Sequence, residues 1–193
     1  MSPLHRIFIA VELDPVLHRA VIELQRHLET AGAKIRWNKP GQLHFTLRFL
    51  GEITPAQLAL VKIATREAVG DTTPFIITLR HLGAFPSFHR PQVVWAGVEE
   101  GAAELQALAT GLEAQLTHHR FPAEERPFKP HLTLARIRDA RQWGDVVRAL
   151  GQFRDVSVGS QRVEAVSVME SQLTLQGPIH TRVEEVSLGG HEK

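Results

Sequence analysis

His44-Phe45-Thr46-Leu47 and His131-Leu132-Thr133-Leu134 are two copies of one short motif, and their reading decides the fold. Each suits a strand, and each follows a turn with proline, Pro40 in the first half and Pro130 in the second. Side chains two apart in a strand point to the same face. His44 and Thr46 therefore share one face, and His131 and Thr133 share a face of their own strand. Phe45, Leu47, Leu132 and Leu134 then turn into the core. One His-x-Thr in a strand is commonplace. Two copies, each with leucine fourth and in matching surroundings, point to related halves. A pseudo-two-fold axis between the halves would bring both His–Thr pairs to one cleft.

The surrounding sequence supplies the rest of the fold. Ile7, Ile9 and Val11 alternate with Phe8, Ala10 and Glu12, which predicts a strand. Asp14-Pro15 starts a helix with the stripe Leu17, Ala20, Val21, Leu24 and Leu28, and Gly32 ends it. Residues 35–38 and 42–50 read as strands separated by Lys39-Pro40-Gly41. Thr54-Pro55 opens a second helix with Leu58, Val61 and Ala68 on one face. Strands are expected over 75–82 and 92–98, with the proline-containing stretch 83–91 as a loop. The second half runs in similar order. A helix is predicted over 102–118, carrying Leu105, Leu108, Leu112 and Leu116, then a strand over 128–136. A short helix over 139–150 and strands near 153–158, 162–169, 171–175 and 180–188 complete the chain. This order predicts an α+β fold: two pseudo-symmetric lobes of largely antiparallel sheet with flanking helices around a central cleft. Residues 1–193 read as a single bilobed domain, since no low-complexity linker separates the halves.

Composition removes several classes of function. The chain of 193 residues has no cysteine, so disulfides, thiolate–zinc sites, iron–sulfur clusters and a catalytic thiol are excluded. No apolar run approaches the ~20 residues of a membrane span. The opening residues lack the apolar stretch of a signal peptide, and the expected home is the cytoplasm. A net charge of +1 disfavours coating nucleic acid by bulk charge. Local bias is stronger: Arg120, Arg126, Lys129, Arg136, Arg138 and Arg141 crowd around the second motif, a pattern that by itself fits a solvated face.

Paired His–Thr motifs have a chemical use. Two imidazoles can serve as general base and general acid near neutral pH. Two threonine hydroxyls can donate hydrogen bonds to the non-bridging oxygens of a phosphodiester as charge builds there. No metal or other cofactor is expected, because neither motif carries further histidines or carboxylates at ligand spacing. His44 and His131 are thus the candidate catalytic residues, and Thr46 and Thr133 the candidate substrate-binding ones. Arg48 shares strand parity with His44 and Thr46, which predicts that it reaches the cleft as a phosphate ligand. Lys129 has the parity of His131 and is placed at the cleft rim.

These residues resemble a known family. Paired His-x-Thr-hydrophobic motifs define the 2H phosphoesterase superfamily, and the chain is most similar to RNA 2′,3′-cyclic phosphodiesterases, also called 2′-5′ RNA ligases. The likeness extends from the strand Arg6–Val11 through Leu43–Gly51, Gly83–Pro86, Val93–Val98 and Phe128–Arg136 to the tail around Glu170–Pro178. It implies hydrolysis of RNA 2′,3′-cyclic phosphate ends, tRNA fragments among them, to 2′-phosphates, and reverse 2′-5′ ligation. A monomer without membrane association is expected. The family's second motif carries arginine where this chain has Arg136. Regular alternation would turn Arg136 away from His131, whereas a bulge would redirect it to phosphate. The family tends to have tyrosine where His180 stands, and His180 has no assigned role.

Rival readings are a phosphodiesterase of a small cyclic nucleotide, a non-catalytic RNA-binding module and a metal-dependent nuclease. Intact histidines and threonines argue against the second, and the missing carboxylate cluster against the third. Phe85 and Phe128 could stack on a base but are assigned to the core. His118-His119 sit at a helix end, where a dipole contact is the simple account. The remaining histidines, including His191, read as surface or structural residues.

Overall fold

The computed structural model describes residues 3–190, and His191 lies outside the described residues. The elements run β1 (His5–Glu12), α1 (Pro15–Thr30), β2 (His44–Ile53), α2 (Pro55–Val69), β3 (Phe75–Ser87) and β4 (Arg90–Val98). They continue with α3 (Ala102–His118), β5 (His131–Arg136), α4 (Trp143–Gln152), β6 (Ser157–Val163), β7 (Ala165–Thr174) and β8 (Gly177–Ser187). The helices start where their caps dictate. Asp14 Oδ1 accepts from the Val16 and Leu17 amides at 2.8 and 2.7 Å, and Thr54 with Gln57 closes a capping box ahead of α2.

Two antiparallel four-stranded sheets result, ordered β2-β1-β7-β8 and β5-β4-β3-β6. Helices α2 and α3 pack on the first sheet, while α1 and α4 pack on the second. The architecture is the expected α+β arrangement of two lobes. Each motif strand forms the edge of its sheet, β2 in one and β5 in the other, and these two edges meet. On β1 both faces are covered. Ile7, Ile9 and Val11 join the main core, whereas Phe8 and Ala10 form a separate small cluster with Met169.

Three sequence expectations are corrected. Residues 35–38 form no strand; a single bridge pairs Trp37 with Ala135, and the Asn38 amide donates to Leu134 O at 2.8 Å. Residues 83–91 are mostly strand, since β3 runs on to Ser87 and β4 begins at Arg90. The prolines are tolerated because β6 pairs only Phe75–Arg80 of β3 and β5 only Val93–Gly97 of β4. Pro86 and Pro91 thus lie in a two-stranded ribbon with free outer edges, where a missing N–H breaks no ladder. One long strand, β7, covers 165–174 where two strands are expected, 162–163 end β6, and 153–156 lies outside any strand.

Candidate active site

The site begins with the sheet edges. On β2, His44 stands opposite Glu12 and Thr46 opposite Ala10. On β5, His131 stands opposite Gly97 and Thr133 opposite Trp95. Phe45, Leu47, Leu132 and Leu134 are all buried, as the alternation requires. The two motif strands border a cleft of about 620 Å³ whose lining includes His44, Thr46, Thr133 and Arg136. His131 shares the face of Thr133, two residues earlier on the same strand.

Backbone contacts from the segment before β2 fix the second motif. Asn38 Nδ2 donates to Thr133 O at 2.9 Å, and the buried Gln25 amide donates to both Asn38 O and Leu134 O at 3.2 Å. The first motif's approach thereby fixes the carbonyls of the second. The histidines are oriented alike. His131 Nδ1 lies 2.6 Å from Lys129 O, and the backbone of Gln42, likewise two residues upstream, acts on His44. Donation from Nδ1 to a carbonyl leaves the opposite nitrogen as the one able to exchange a proton.

Rings complete each histidine's setting. Phe8 stacks on His44 with centroids 4.6 Å apart, and His180 meets His44 edge-on at 5.3 Å. His131 sits edge-on to Phe85 at 5.2 Å and to Trp95 at 6.5 Å. Trp95 can lie there only because position 83 is glycine: a Cβ on Gly83 would fall 2.1 Å from the indole ring. Burial is the main influence on both histidines. It lowers the His44 pKa to about 4, aided by the charge His180 carries when protonated and opposed by the Gln42 backbone. It lowers that of His131 as well, against the Lys129 carbonyl and with the help of Arg136.

The two arginines part company. Arg136 lines the cleft. Arg48 does not, contrary to its parity with Thr46. Its Nε lies 2.9 Å from Glu113 of α3, its Nη1 lies 2.8 Å from Glu124, and its side chain is 10% exposed. Both outcomes follow from one irregularity. The β1–β2 ladder skips Leu47, pairing Thr46 with Ala10 and Arg48 with Ile9. The β4–β5 ladder skips Leu134, pairing Thr133 with Trp95, Ala135 with Val94 and Arg136 with Val93. Each bulge reverses parity, which carries Arg48 to the helix side and Arg136 to the cleft. The exposed Lys129 is absent from the cleft lining; its Nζ lies over the Phe85 ring, 6.0 Å from the centroid, and its carbonyl holds His131. Phe128 packs against the core, and Phe85 flanks His131.

Several cleft residues escape a reading of the sequence. Arg6, Arg36, Asn38, Gln42 and Arg138 line it, and the Trp37 Nε1 is buried there with no hydrogen-bond partner among the described residues. For all but Arg6, which lies on β1, the sequence signal is proximity, because 36–42 lead into the first motif and 136–142 follow the second. Among the described residues, no group of three or more His, Asp or Glu side chains is placed to hold a metal ion. No helix among them is long and apolar enough to cross a membrane.

The family model described as LigT-like phosphoesterase matches residues 11–95 and again 97–180, one match for each motif-bearing half. An RNA 2′,3′-cyclic phosphodiesterase of Methanothermobacter thermautotrophicus is 36% identical over 181 residues, covering 93% of this chain and 96% of the relative. One from Aeropyrum pernix is 40% identical over 163 residues, covering 84% and 92%. A crystal structure of a Thermus thermophilus protein superposes with a TM-score of 0.78 at 31% identity, over 96% of this chain and 99% of that one. The fold also matches E. coli LigT complexed with 3′-AMP, with a TM-score of 0.77 at 22% identity over 96% and 98%. With two matched halves, each carrying one His-x-Thr-Leu strand, the chain belongs to the LigT-like phosphoesterase family of the 2H superfamily.

Proposed function

We propose that this protein hydrolyses RNA 2′,3′-cyclic phosphate ends to 2′-phosphates by metal-independent acid–base catalysis between His44 and His131. The observation that carries the reading is one cleft between the edge strands of two matching sheets, lined by His44 and Thr46 of β2 and by Thr133 of β5, the strand that also carries His131. Relatives named RNA 2′,3′-cyclic phosphodiesterases, alike over nearly the whole chain, support the substrate class. Arg6, Arg36 and Arg138 extend the positive lining beyond Arg136, more charge than one phosphate needs, which favours a polyanion over a small cyclic nucleotide.

His44, the more strongly held in its neutral form, accepts a proton from water as the water oxygen bonds to phosphorus. The P–O3′ bond breaks, and His131 gives its proton to the departing 3′-oxygen. Thr46 and Thr133 donate hydrogen bonds to the non-bridging oxygens, and Arg136 adds positive charge where the negative charge grows. A 5′-hydroxyl in place of water gives the reverse-type product, a 2′-5′ linkage. The test is product typing on an oligoribonucleotide ending in a 2′,3′-cyclic phosphate, with EDTA present. Clean 2′-phosphate is expected. A 3′-phosphate product, or turnover abolished by EDTA and restored by zinc or manganese, overturns the reading.

A further inference from the structure

The two motifs are alike, yet among the described residues only one of their histidines has a titratable ring against it. His180, on β8 opposite Ser171, borders both the main cleft and a neighbouring cavity of about 230 Å³. Its ring meets that of His44 with planes at 87°, and Phe8 touches both, stacked on His44 and edge-on to His180 at 4.9 Å. The rings beside His131 belong to Phe85 and Trp95, which carry no charge.

The His180 Nδ1 is buried and has no hydrogen-bond partner among the described residues. A bare lone pair is tolerable there. An imidazolium would bury an N–H with nothing to accept it, so the ring rests neutral with its proton on Nε2. Burial accordingly lowers the His180 pKa. The groups around the pair are accounted for. Glu12, opposite His44 on β1, is engaged by Arg182 of β8 and by Ser167 Oγ of β7 at 2.8 Å. Arg182 also holds Glu185. Arg6 of β1 lies over Phe49, while Arg36 and Lys39 both donate to Gln176 O. Asp139 across the cleft is bound by Arg141. No carboxylate forms an ion pair with His44 among the described residues.

We propose that His180 is a positioning residue that breaks the symmetry of the two motifs: packed edge-on against His44 over the shared Phe8, it fixes that imidazole's plane and keeps it in the proton-accepting form. The inference rests on the two-histidine reading above, in which His44 takes the first proton. When His180 is charged, its charge opposes a second imidazolium beside it.

Two variants separate packing from charge. His180→Gln removes both the ring and its titration; His180→Phe keeps a ring against His44 and Phe8 but cannot be charged. The His44 titration is followed by NMR of labelled histidine in the free protein, alongside the pH profile of kcat/KM on a 2′,3′-cyclic phosphate end. In His180→Gln the His44 midpoint should rise by about half a unit or more, and the acid limb of kcat/KM should rise with it. At pH 7, kcat/KM should fall by about 3- to 10-fold in the Gln variant and stay within about twofold in the Phe variant, where the ring plane is kept. An unmoved His44 midpoint in His180→Gln overturns the proposal and leaves the two-histidine reading intact. A midpoint that moves without the acid limb overturns His44 as the base, and the proposal falls with that reading.

Discussion

Leu47 and Leu134 occupy the same place in the two halves: each is the residue that its β-ladder skips immediately after the motif threonine. Both are buried, so the chain gains one extra inward residue and changes the parity of everything beyond it. In the second half the next inward position holds buried Ala135, and Arg136 emerges into the cleft. In the first half that inward position holds Arg48, which is stabilised away from water by two carboxylates.

The two arginines should therefore fail in different assays. Arg136→Met should lower kcat/KM by roughly 10- to 100-fold, the scale of a charge-assisted contact to a transition state, with little change in urea stability. Arg48→Met should lower stability by about 1–3 kcal/mol, because Glu113 and Glu124 lose their partner, while kcat/KM changes less than about threefold. Kinetics and urea melts on the same preparations check both. The opposite assignment of effects would mean the bulges do not set which arginine meets phosphate.

Buried histidines make stability depend on pH with a definite sign. His44 titrates at about 4 in the folded protein and near 6.5 when unfolded. Between these values the unfolded chain binds more protons at this group, so the His44 contribution to stability should fall as pH drops from 6.5 towards 4 and level off below. His131 and His180, both lowered, act in the same direction. His44→Phe should flatten part of that slope in thermal melts across this range, and an equally steep slope in the variant would show that His44 is not held neutral.

The threonines should act on the transition state. Thr46→Val or Thr133→Val keeps the shape and removes the donor, at a loss of roughly 1–3 kcal/mol of transition-state stabilisation. That is about 5- to 150-fold in kcat/KM, and the surviving product should still be the 2′-phosphate alone. A mixture of phosphate isomers would mean that the threonines, rather than the histidines, set the attack geometry.

The parts of the structure with strong local signals are legible in the sequence. The caps at Asp14 and Thr54, the helical stripe in α3 and the inward turn of Phe45 and Leu132 all depend on near neighbours. So do the two His–Thr faces, which need only period-two alternation. Parity misplaces Arg48 because a bulge at Leu47 leaves the apolar pattern unchanged: leucine is buried with or without it. The 83–91 ribbon is hidden because proline breaks a ladder only where a neighbour needs its N–H, and no local pattern says which edges are free. Arg6, Arg36 and Asn38 reach the cleft through tertiary packing of segments with no motif of their own.

The central claim is that His44 and His131 act as one proton-transfer unit, and a double-mutant cycle on an RNA 2′,3′-cyclic phosphate end tests it most directly. His44→Ala and His131→Ala should each lower kcat by about 10²- to 10⁴-fold, and the double variant should lose far less than the product of the two. His118→Ala and His119→Ala, made in parallel, should stay near wild type. Either motif variant retaining near wild-type kcat in folded protein, or a double variant whose loss equals the product of the single losses, would contradict the account.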